Sequence, residues 1–304
     1  MASLDSISSA GAASGVKARP GVLSRLLRNK SALIGGSIVL IFVLMALLAP
    51  VLPLADPFKS NFLAIRKPPS ELYWFGTDEL GRDILARVIY GARTSLLTAV
   101  GAVIIAALVG VPIGLAAGFY GDWRDSLLMR CIDVLLALPN ILFAMALIAV
   151  LGRSQGAALI AVGIAGIPGF ARIARAQVMA LRQLDFVTAV RAFGGSPGYI
   201  MFRTILPNAL SPLVVQAIVL ASIAILLEAA LAFLGVGVPP PTPSWGEMLR
   251  TGKSYLYEAP TYAVLPGIVL TLTILSLDTI GRALTAILDR DETDASGETI
   301  GGRR

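Results

Sequence analysis

The chain has 304 residues, of which 56% are hydrophobic and 14% are charged, and its formal net charge is +6. Its mean hydropathy of +0.79 and its low charged fraction, against about a quarter in soluble domains, predict a membrane protein. With a single cysteine, Cys131, and no histidine, the sequence excludes an intramolecular disulfide, a thiolate metal cluster and any histidine-dependent catalytic site, and we expect no metal or cofactor.

Six charge-poor stretches follow a polar N-terminal tail, residues 1–30, which is predicted to be flexible and cytoplasmic. A spanning helix needs about 20 apolar residues because the bilayer offers its backbone no hydrogen-bond partner. The stretches are 31–55, 94–121, 134–152, 154–171, 204–246, which is interrupted only by Glu228, and 259–277. The sequence therefore predicts an all-α polytopic membrane protein with six transmembrane helices within residues 31–290, followed by a cytoplasmic tail, 291–304.

The distribution of basic residues predicts the orientation. With both termini in the cytoplasm, 16 Lys and Arg residues lie inside and 9 outside, as the positive-inside rule requires. Membrane topology thus accounts for the basic residues better than nucleic-acid binding does. In the outer loop, residues 54–93, apolar Ile84, Leu85, Val88 and Ile89 recur at helical spacing, which predicts a helix lying on the membrane surface.

Small residues predict close helix contacts in the second span. Gly110, Gly114 and Gly118 fall four residues apart, on one helix face, where small side chains let helix backbones approach in lipid. This face either packs within the bundle or contacts a partner permease. The third and fourth spans are separated only by the residues around Gly152 and Arg153, so they are predicted to form a tight hairpin.

Polar and aromatic residues mark further positions in and beside the apolar runs. Glu228 lies inside the fifth run, where a carboxylate is costly unless it is paired or hydrated. It either binds a cation or peptide amine on a translocation path, or has a structural role near the outer mouth. Trp74, Trp123 and Trp245 lie beside the runs and are predicted to anchor the protein at the membrane surface.

The longest inner loop, residues 180–210, is predicted to form a helix, a break and a second helix. Phe186, Val190 and Phe193 recur on one helix face, and Gly194, Gly195 and Pro197 follow them. An apolar stripe is not needed in a loop surrounded by water. We therefore expect this face to dock into a groove on another protein.

This loop resembles the cytoplasmic signature of binding-protein-dependent ABC importers, in which a Glu-Ala-Ala triplet precedes a glycine and a closing Ile-x-Leu-Pro. Thr188 replaces the signature's acidic residue, Val190 its second alanine and Thr204 its isoleucine. The resemblance therefore implies no acidic contact with the ATPase. It does imply that 180–210 is a coupling loop, in which these residues contact the ATPase: Thr188, Ala189, Val190, Arg191, Gly194, Gly195, Leu206, Pro207 and Asn208.

Two further stretches resemble the C-type permease of dipeptide, oligopeptide and nickel importers. They are residues 75–96, which begin FGTDELGRD and contain Asp78, Gly81, Arg82 and Asp83, and residues 228–249, EAALAFLGVGVPPPTPSWGEML. The resemblance implies the type I ABC importer transmembrane fold in the inner membrane, in contact with lipid. It also implies a B-type permease partner, two ABC ATPase subunits and an extracytoplasmic solute-binding protein. The implied cargo is di- or oligopeptides, with nickel complexes or glutathione as alternatives.

Two other functions fit the sequence poorly. Gly252-Lys253-Ser254 lacks the preceding glycine at P-loop spacing, since position 247 is Glu247. We therefore expect no ATPase activity in this chain. An ion-coupled secondary transporter is the alternative from another class, but it would need several ionisable residues within its spans.

Overall fold

The computed structural model describes residues 22–301, and the side chains of residues 24–288. Much of the predicted N-terminal tail, 1–21, and the end of the C-terminal tail, 302–304, lie outside the described residues. Within them the fold is helical, with one isolated bridge between Thr77 and Asp83. Helices α1–α6 are Val22–Arg28, Lys30–Leu48, Ile84–Tyr120, Asp122–Leu136, Asn140–Leu151 and Gln155–Leu181, and α7–α12 are Asp185–Ala192, Pro197–Tyr199, Leu206–Asn208, Leu210–Phe233, Trp245–Gly252 and Thr261–Gly301.

Among the described residues, five helices are long and apolar enough to span a membrane: α2, α3, α6, α10 and α12. The sixth span is broken, because α4 and α5 meet at an angle of 86°. The charge-poor stretch 134–152, predicted as one transmembrane helix, is therefore divided between two helices. Pro139, immediately before α5, lacks a backbone N–H and disfavours helical backbone in the residue before it, which explains the break. The all-α, multi-span class is confirmed.

Helix α3 differs from its prediction. It has 37 residues, about 55 Å at 1.5 Å per residue, and it includes the segment that was predicted to lie on the membrane surface. Ile84, Val88 and Ile89 are buried within the protein. The apolar stripe faces the rest of the chain rather than lipid: the indole N–H of Trp245 donates to the Val88 carbonyl oxygen at 3.0 Å. Trp245 is thus a core residue and not a surface anchor, whereas Trp74 and Trp123 are exposed.

The glycine face of α3 packs within the chain, against α6. A Cβ atom on Gly110 would lie 2.6 Å from the Ile167 carbonyl oxygen, and one on Gly118 would lie 2.8 Å from the Arg175 carbonyl oxygen. On Gly114, midway between them, it would overlap the Ala171 carbonyl oxygen. Of the two interpretations of this face, the structure shows packing inside the bundle.

The charged ends of α4 and α6 are joined by two ion pairs. Arg175 donates to both carboxylate oxygens of Asp125, each at 2.6 Å, and Arg172 donates to Asp133 at 2.7 Å. A bidentate arginine–carboxylate pair fixes direction as well as distance. These contacts hold the polar helix α4 across α6 after the turn at Gly121.

Gly114→Val should destabilise the protein, because its new side chain would overlap backbone that cannot move without separating α3 from α6. Overpacking a close contact costs about 1–3 kcal/mol, so we expect a lower thermal unfolding midpoint and a lower membrane level. Gly36→Val is the matched control, since nothing lies within 4 Å of a Cβ atom on Gly36 in α2. Equal midpoints for the two variants would contradict the assignment of the glycine face to α6.

Candidate functional site

Helix α7 of the coupling loop ends at a glycine pair. Gly194 has φ +80°, its N–H donates to the Arg191 carbonyl oxygen, and the N–H of Gly195 donates to the Val190 carbonyl oxygen, each at 3.0 Å. This is the Schellman arrangement, in which a left-handed residue closes the helix. Since a left-handed backbone strains residues with a Cβ atom, the break depends on glycine at position 194.

The second half of the loop restarts as a helix at Ser196. Its hydroxyl oxygen accepts a hydrogen bond from the Tyr199 N–H at 3.3 Å, and Pro197 occupies the first turn. The turns that follow, Ile200–Ile205, are π-helical. Pro207 provides the reason, because its ring would clash with the carbonyl of residue 203 in a regular α-helix, and a wider turn relieves the clash.

One face of the coupling loop packs against its own chain. Val187, Ile200 and Ile205 are buried, in a cluster with Leu115 of α3 and Val178 of α6. The residues on either side of this cluster also tie the loop to α3. The Arg182 guanidinium donates to the Gly118 carbonyl oxygen at 2.9 Å, and the Arg191 guanidinium lies 5.9 Å from the centre of the Phe119 ring.

The other face is exposed and aromatic. Phe193 is 92% exposed, and three further aromatic side chains of the loop, Phe186, Tyr199 and Phe202, are also exposed. Val190 differs from its prediction: it is half-buried and packs on the inner cluster, so it is not part of the exposed stripe. We call Phe186, Phe193, Tyr199 and Phe202 the aromatic face.

The other residues predicted for ATPase contact are mostly accessible. Gly195 and Leu206 are half-buried, and Leu206 packs inward. The rest are exposed, namely Thr188, Ala189, Arg191, Gly194, Pro207 and Asn208. The side-chain amide of Asn208 donates to the Thr204 carbonyl oxygen at 2.7 Å, so it closes the end of the second helix.

At the other end of α3, Asp78 is the centre of a buried ion cluster. Its carboxylate accepts from the Arg82 guanidinium at 2.6 Å and lies 3.2 Å from the Arg87 Nε. Arg82 also donates to Glu79 at 2.8 Å, and Arg87 donates to the Pro57 carbonyl oxygen at 3.0 Å. Asp78, Arg82 and Arg87 are all buried, so each charge depends on its partners. We call these residues, with Glu79, the Asp78 cluster.

Gly81 and Asp83 shape the start of α3 beside this cluster. Gly81 has φ +74°, and a Cβ atom there would overlap the Asn61 carbonyl oxygen. Asp83 caps α3 by accepting a hydrogen bond from the Leu85 N–H at 3.1 Å. Burial raises the pKa of the Asp83 carboxyl, and the backbone hydrogen bonds from Leu85 and Ala86 partly oppose that rise. The four predicted outer-loop residues therefore lie together, in a folded and largely buried unit.

Glu228 is fully buried in α10. One of its carboxyl oxygens, Oε2, accepts a hydrogen bond from the Ser95 hydroxyl of α3 at 3.0 Å. The other, Oε1, has no hydrogen-bond partner, and no Lys or Arg among the described residues forms an ion pair with Glu228. Ser95 was not predicted from the sequence, because 133 residues separate it from Glu228.

The Gly252-Lys253-Ser254 tripeptide follows a helix instead of opening one. Gly252 is the last residue of α11, and the Lys253 ammonium lies 4.5 Å from the centre of the Phe233 ring. A phosphate loop places its backbone N–H groups at a helix N-terminus, where the helix dipole favours an anion. Here the tripeptide lies at a helix C-terminus, where the helix dipole disfavours an anion.

Two family profiles match the chain. One, described as a binding-protein-dependent transport system inner membrane component, matches residues 110–293. The other, the N-terminal transmembrane domain of oligopeptide transport permease C, matches residues 21–69. The two matches do not overlap and follow each other in chain order.

Curated relatives match nearly the full length. The dipeptide transport system permease protein DppC of Alkalihalophilus pseudofirmus is 42% identical over 87% of each chain, and the di/tripeptide permease DppC of Pseudomonas aeruginosa is 42% identical over 86% of this chain and 88% of its own. The glutathione permease GsiD of Pectobacterium atrosepticum is 36% identical over 87% and 88%.

Among solved structures, the inward-facing MetNI methionine ABC transporter includes a chain with a similar fold. The TM-score is 0.51 at 20% identity, over 66% of this chain and 97% of that one. The likeness confirms the type I ABC importer transmembrane fold that the sequence resemblance implied.

Asp78→Ala should destabilise the protein strongly, because it leaves Arg82 and Arg87 buried beside each other without their shared carboxylate. Breaking a buried ion pair from one side costs about 3–5 kcal/mol. Asp278→Ala is the control: Asp278 pairs with Arg282 at 2.8 Å, and both are exposed, so the loss should be at most about 1 kcal/mol. Thermal unfolding of the purified proteins compares the two, and equal midpoints would show that the Asp78 cluster contributes no stability.

Proposed function

Because the chain belongs to the family of binding-protein-dependent transport system inner membrane components, we propose that it forms half of the pore of an ATP-driven importer. The other half is a homologous B-type permease, and a solute-binding protein delivers the cargo. The observation that carries the proposal is the coupling loop. It is fixed to α3 and α6 on one side, and on the other it presents an aromatic face that the described residues leave uncovered.

The aromatic face is the surface through which we propose that an ATPase subunit acts on the pore. Exposed apolar surface next to a rigid turn is typical of a protein interface. Since Val187, Ile200 and Ile205 anchor the loop to the helix bundle, a push on the aromatic face moves the ends of α3 and α6. The two ATPase subunits supply the energy, as the permease itself holds no phosphate loop of the usual geometry in the described residues.

Peptides are the cargo that the relatives favour. The dipeptide and di/tripeptide permeases are 42% identical to this chain and the glutathione permease is 36% identical. Glutathione, itself a tripeptide, is the second candidate, and nickel complexes are a third. We assign the choice among them to the solute-binding protein, because the buried charges of the Asp78 cluster bind one another or the protein backbone, and the buried Glu228 accepts from the Ser95 hydroxyl.

The proposed orientation places both termini and the coupling loop in the cytoplasm. The helix ends support a common side: a Cβ atom on Gly35, near the start of α2, would lie 2.9 Å from the Ser276 carbonyl oxygen, and Gly281 packs near Ile218 of α10. The starts of α2 and α10 and the residues around position 280 therefore lie at one end of the bundle. The 16 to 9 division of basic residues supports a cytoplasmic location for this end.

Cysteine labelling tests this orientation. After the exposed native thiol is removed by Cys131→Ser, Ser196→Cys should react with a membrane-impermeant maleimide only in inverted vesicles. Ser60→Cys, at an exposed position of the outer loop, should react in intact spheroplasts. Labelling of position 196 from outside would contradict both the orientation and the assignment of the coupling loop.

Gly194→Val should separate assembly of the pore from its coupling to the ATPase. A Cβ atom on Gly194 meets nothing within 4 Å, so insertion and pairing with the B-type permease should be normal. The strain lies in the backbone: a left-handed conformation costs an ordinary residue about 1–2 kcal/mol, and a β-branched residue is among the least tolerant. We expect the second helix to be re-aimed, with loss of ATPase copurification and of labelled dipeptide uptake.

Gly198→Val is the matched control within the same loop, since Gly198 is also exposed with nothing within 4 Å of its Cβ position, but its φ is not left-handed. It should keep ATPase association and uptake close to the unmodified importer. Full uptake by Gly194→Val with retained ATPase would remove the coupling role from this loop.

A further inference from the structure

We propose that Glu228 is a positioning residue that joins α10 to α3 through the hydrogen bond from Ser95 and not through a negative charge. In this role it transmits movement of the coupling loop to the opposite end of the bundle. The inference rests on the proposed function, because it assumes that the coupling loop is the part the ATPase moves.

Helix α10 directly connects the coupling loop to Glu228. The coupling loop ends with α9 at Asn208, and only Ala209 separates it from the start of α10 at Leu210. From Asn208 to Glu228 the chain rises about 30 Å at 1.5 Å per helical residue. Among its described residues α10 contains no proline beyond its first turn and no glycine, so it can act as a stiff rod.

At Glu228 three helices meet within backbone contact distance. The carboxyl accepts from Ser95 of α3 at 3.0 Å. The next residue, Ala229, lies beneath the start of α11, where a Cβ atom on Gly246 would be 2.6 Å from its Cα. One turn before Ser95, a Cβ atom on Gly91 would be 3.2 Å from Cδ1 of Trp245. A displacement of α10 at this joint must therefore move α3 or α11 with it.

The surroundings of Glu228 suit a neutral carboxyl. It is fully buried, accepts a hydrogen bond from Ser95, has the Ser244 hydroxyl as a second polar neighbour and leaves Oε1 without a hydrogen bond. A buried carboxylate without cations is costly. The charged groups of the adjoining elements are engaged elsewhere or exposed: Arg87 with Asp78, Glu247 with Arg250, and Arg93 at the surface. Glu228 therefore acts by hydrogen bonding, and its full burial argues against a place on the cargo path.

The test uses the complete importer, reconstituted in proteoliposomes with its partner permease, ATPase subunits and solute-binding protein. The variants are Glu228→Gln, Glu228→Ala, Ser95→Ala and the control Thr98→Val. Thr98 is buried on the same helix as Ser95, but its hydroxyl donates only to the Thr94 carbonyl oxygen of its own helix. Three quantities are measured: ATPase copurification, basal ATP hydrolysis and uptake of a labelled dipeptide.

Glu228→Ala and Ser95→Ala should each lower uptake about tenfold, the size of effect expected for one buried hydrogen bond, with ATPase copurification and basal hydrolysis unchanged. Glu228→Gln keeps an oxygen that can accept from Ser95, so it should restore uptake to within about twofold of the unmodified importer. Thr98→Val should resemble the unmodified importer. The double variant Glu228→Ala with Ser95→Ala should be no worse than Glu228→Ala alone, since both remove the same bond.

Several outcomes would overturn the proposal. If Glu228→Gln transports as poorly as Glu228→Ala, the site needs the charge. If Ser95→Ala transports normally, the hydrogen bond transmits nothing, and this result decides the matter even where Glu228→Ala fails to accumulate. If Ser95→Ala loses ATPase copurification, the substitution impairs assembly of the importer, and the hydrogen bond does not act in the transmission of movement. Failure of the proposed function is distinguishable, because the unmodified chain would then fail to bind ATPase subunits or to take up peptide.

Discussion

The close packing of α3 against α6 is the contact on which the rest of this structure depends. The glycines at positions 110, 114 and 118 let the two backbones approach to a distance that excludes a Cβ atom. In lipid, apolar side chains gain little by leaving the solvent, so close packing of this kind must hold helices together. Next to the glycines, Leu115 of α3 and Val178 of α6 pack against the buried side chains of the coupling loop. A change in this contact would therefore reach the aromatic face as well as the bundle.

Among the described residues, charged side chains near both ends of α3 are held in ion pairs. The Asp78 cluster satisfies two arginines with one central carboxylate, while the Asp125 and Arg175 pair closes the other end of α6. A buried cluster such as that of Asp78 contributes fixed geometry more reliably than net stability, while the Asp125 and Arg175 pair is partly exposed. The long helices are therefore framed by ion pairs at both ends, and Glu228, which forms no ion pair among the described residues, lies between them.

The sequence was sufficient to predict that the chain crosses the membrane several times, because charge-free runs of about 20 residues have few alternatives to a membrane helix. It also predicted the end of α7, since Gly194 has a specific backbone reason to be there. The sequence could not predict which side chains are buried where that depends on residues distant along the chain. The stripe at Ile84 and Val88 looks the same whether lipid or Trp245 covers it, and Val190 turns inward only because the second half of the loop folds back over it. Likewise, the break at Pro139 could not be seen in the apolar run, because hydropathy reflects the composition of a segment and not the direction of its helix axis.

The two faces of the coupling loop have different roles: one is buried within this chain, and the other is exposed and available to a partner. The inner face, around Val187 and Ile205, is already buried and needs nothing further. The aromatic face contributes no such packing, and its most exposed ring, that of Phe193, is not covered by any of the described residues. Burial of that ring stabilises a docked state without being required for the fold. A loop built in this way suits the repeated binding and release of the ATPase subunit that we propose as its partner, because its attachment to α3 and α6 does not depend on that contact.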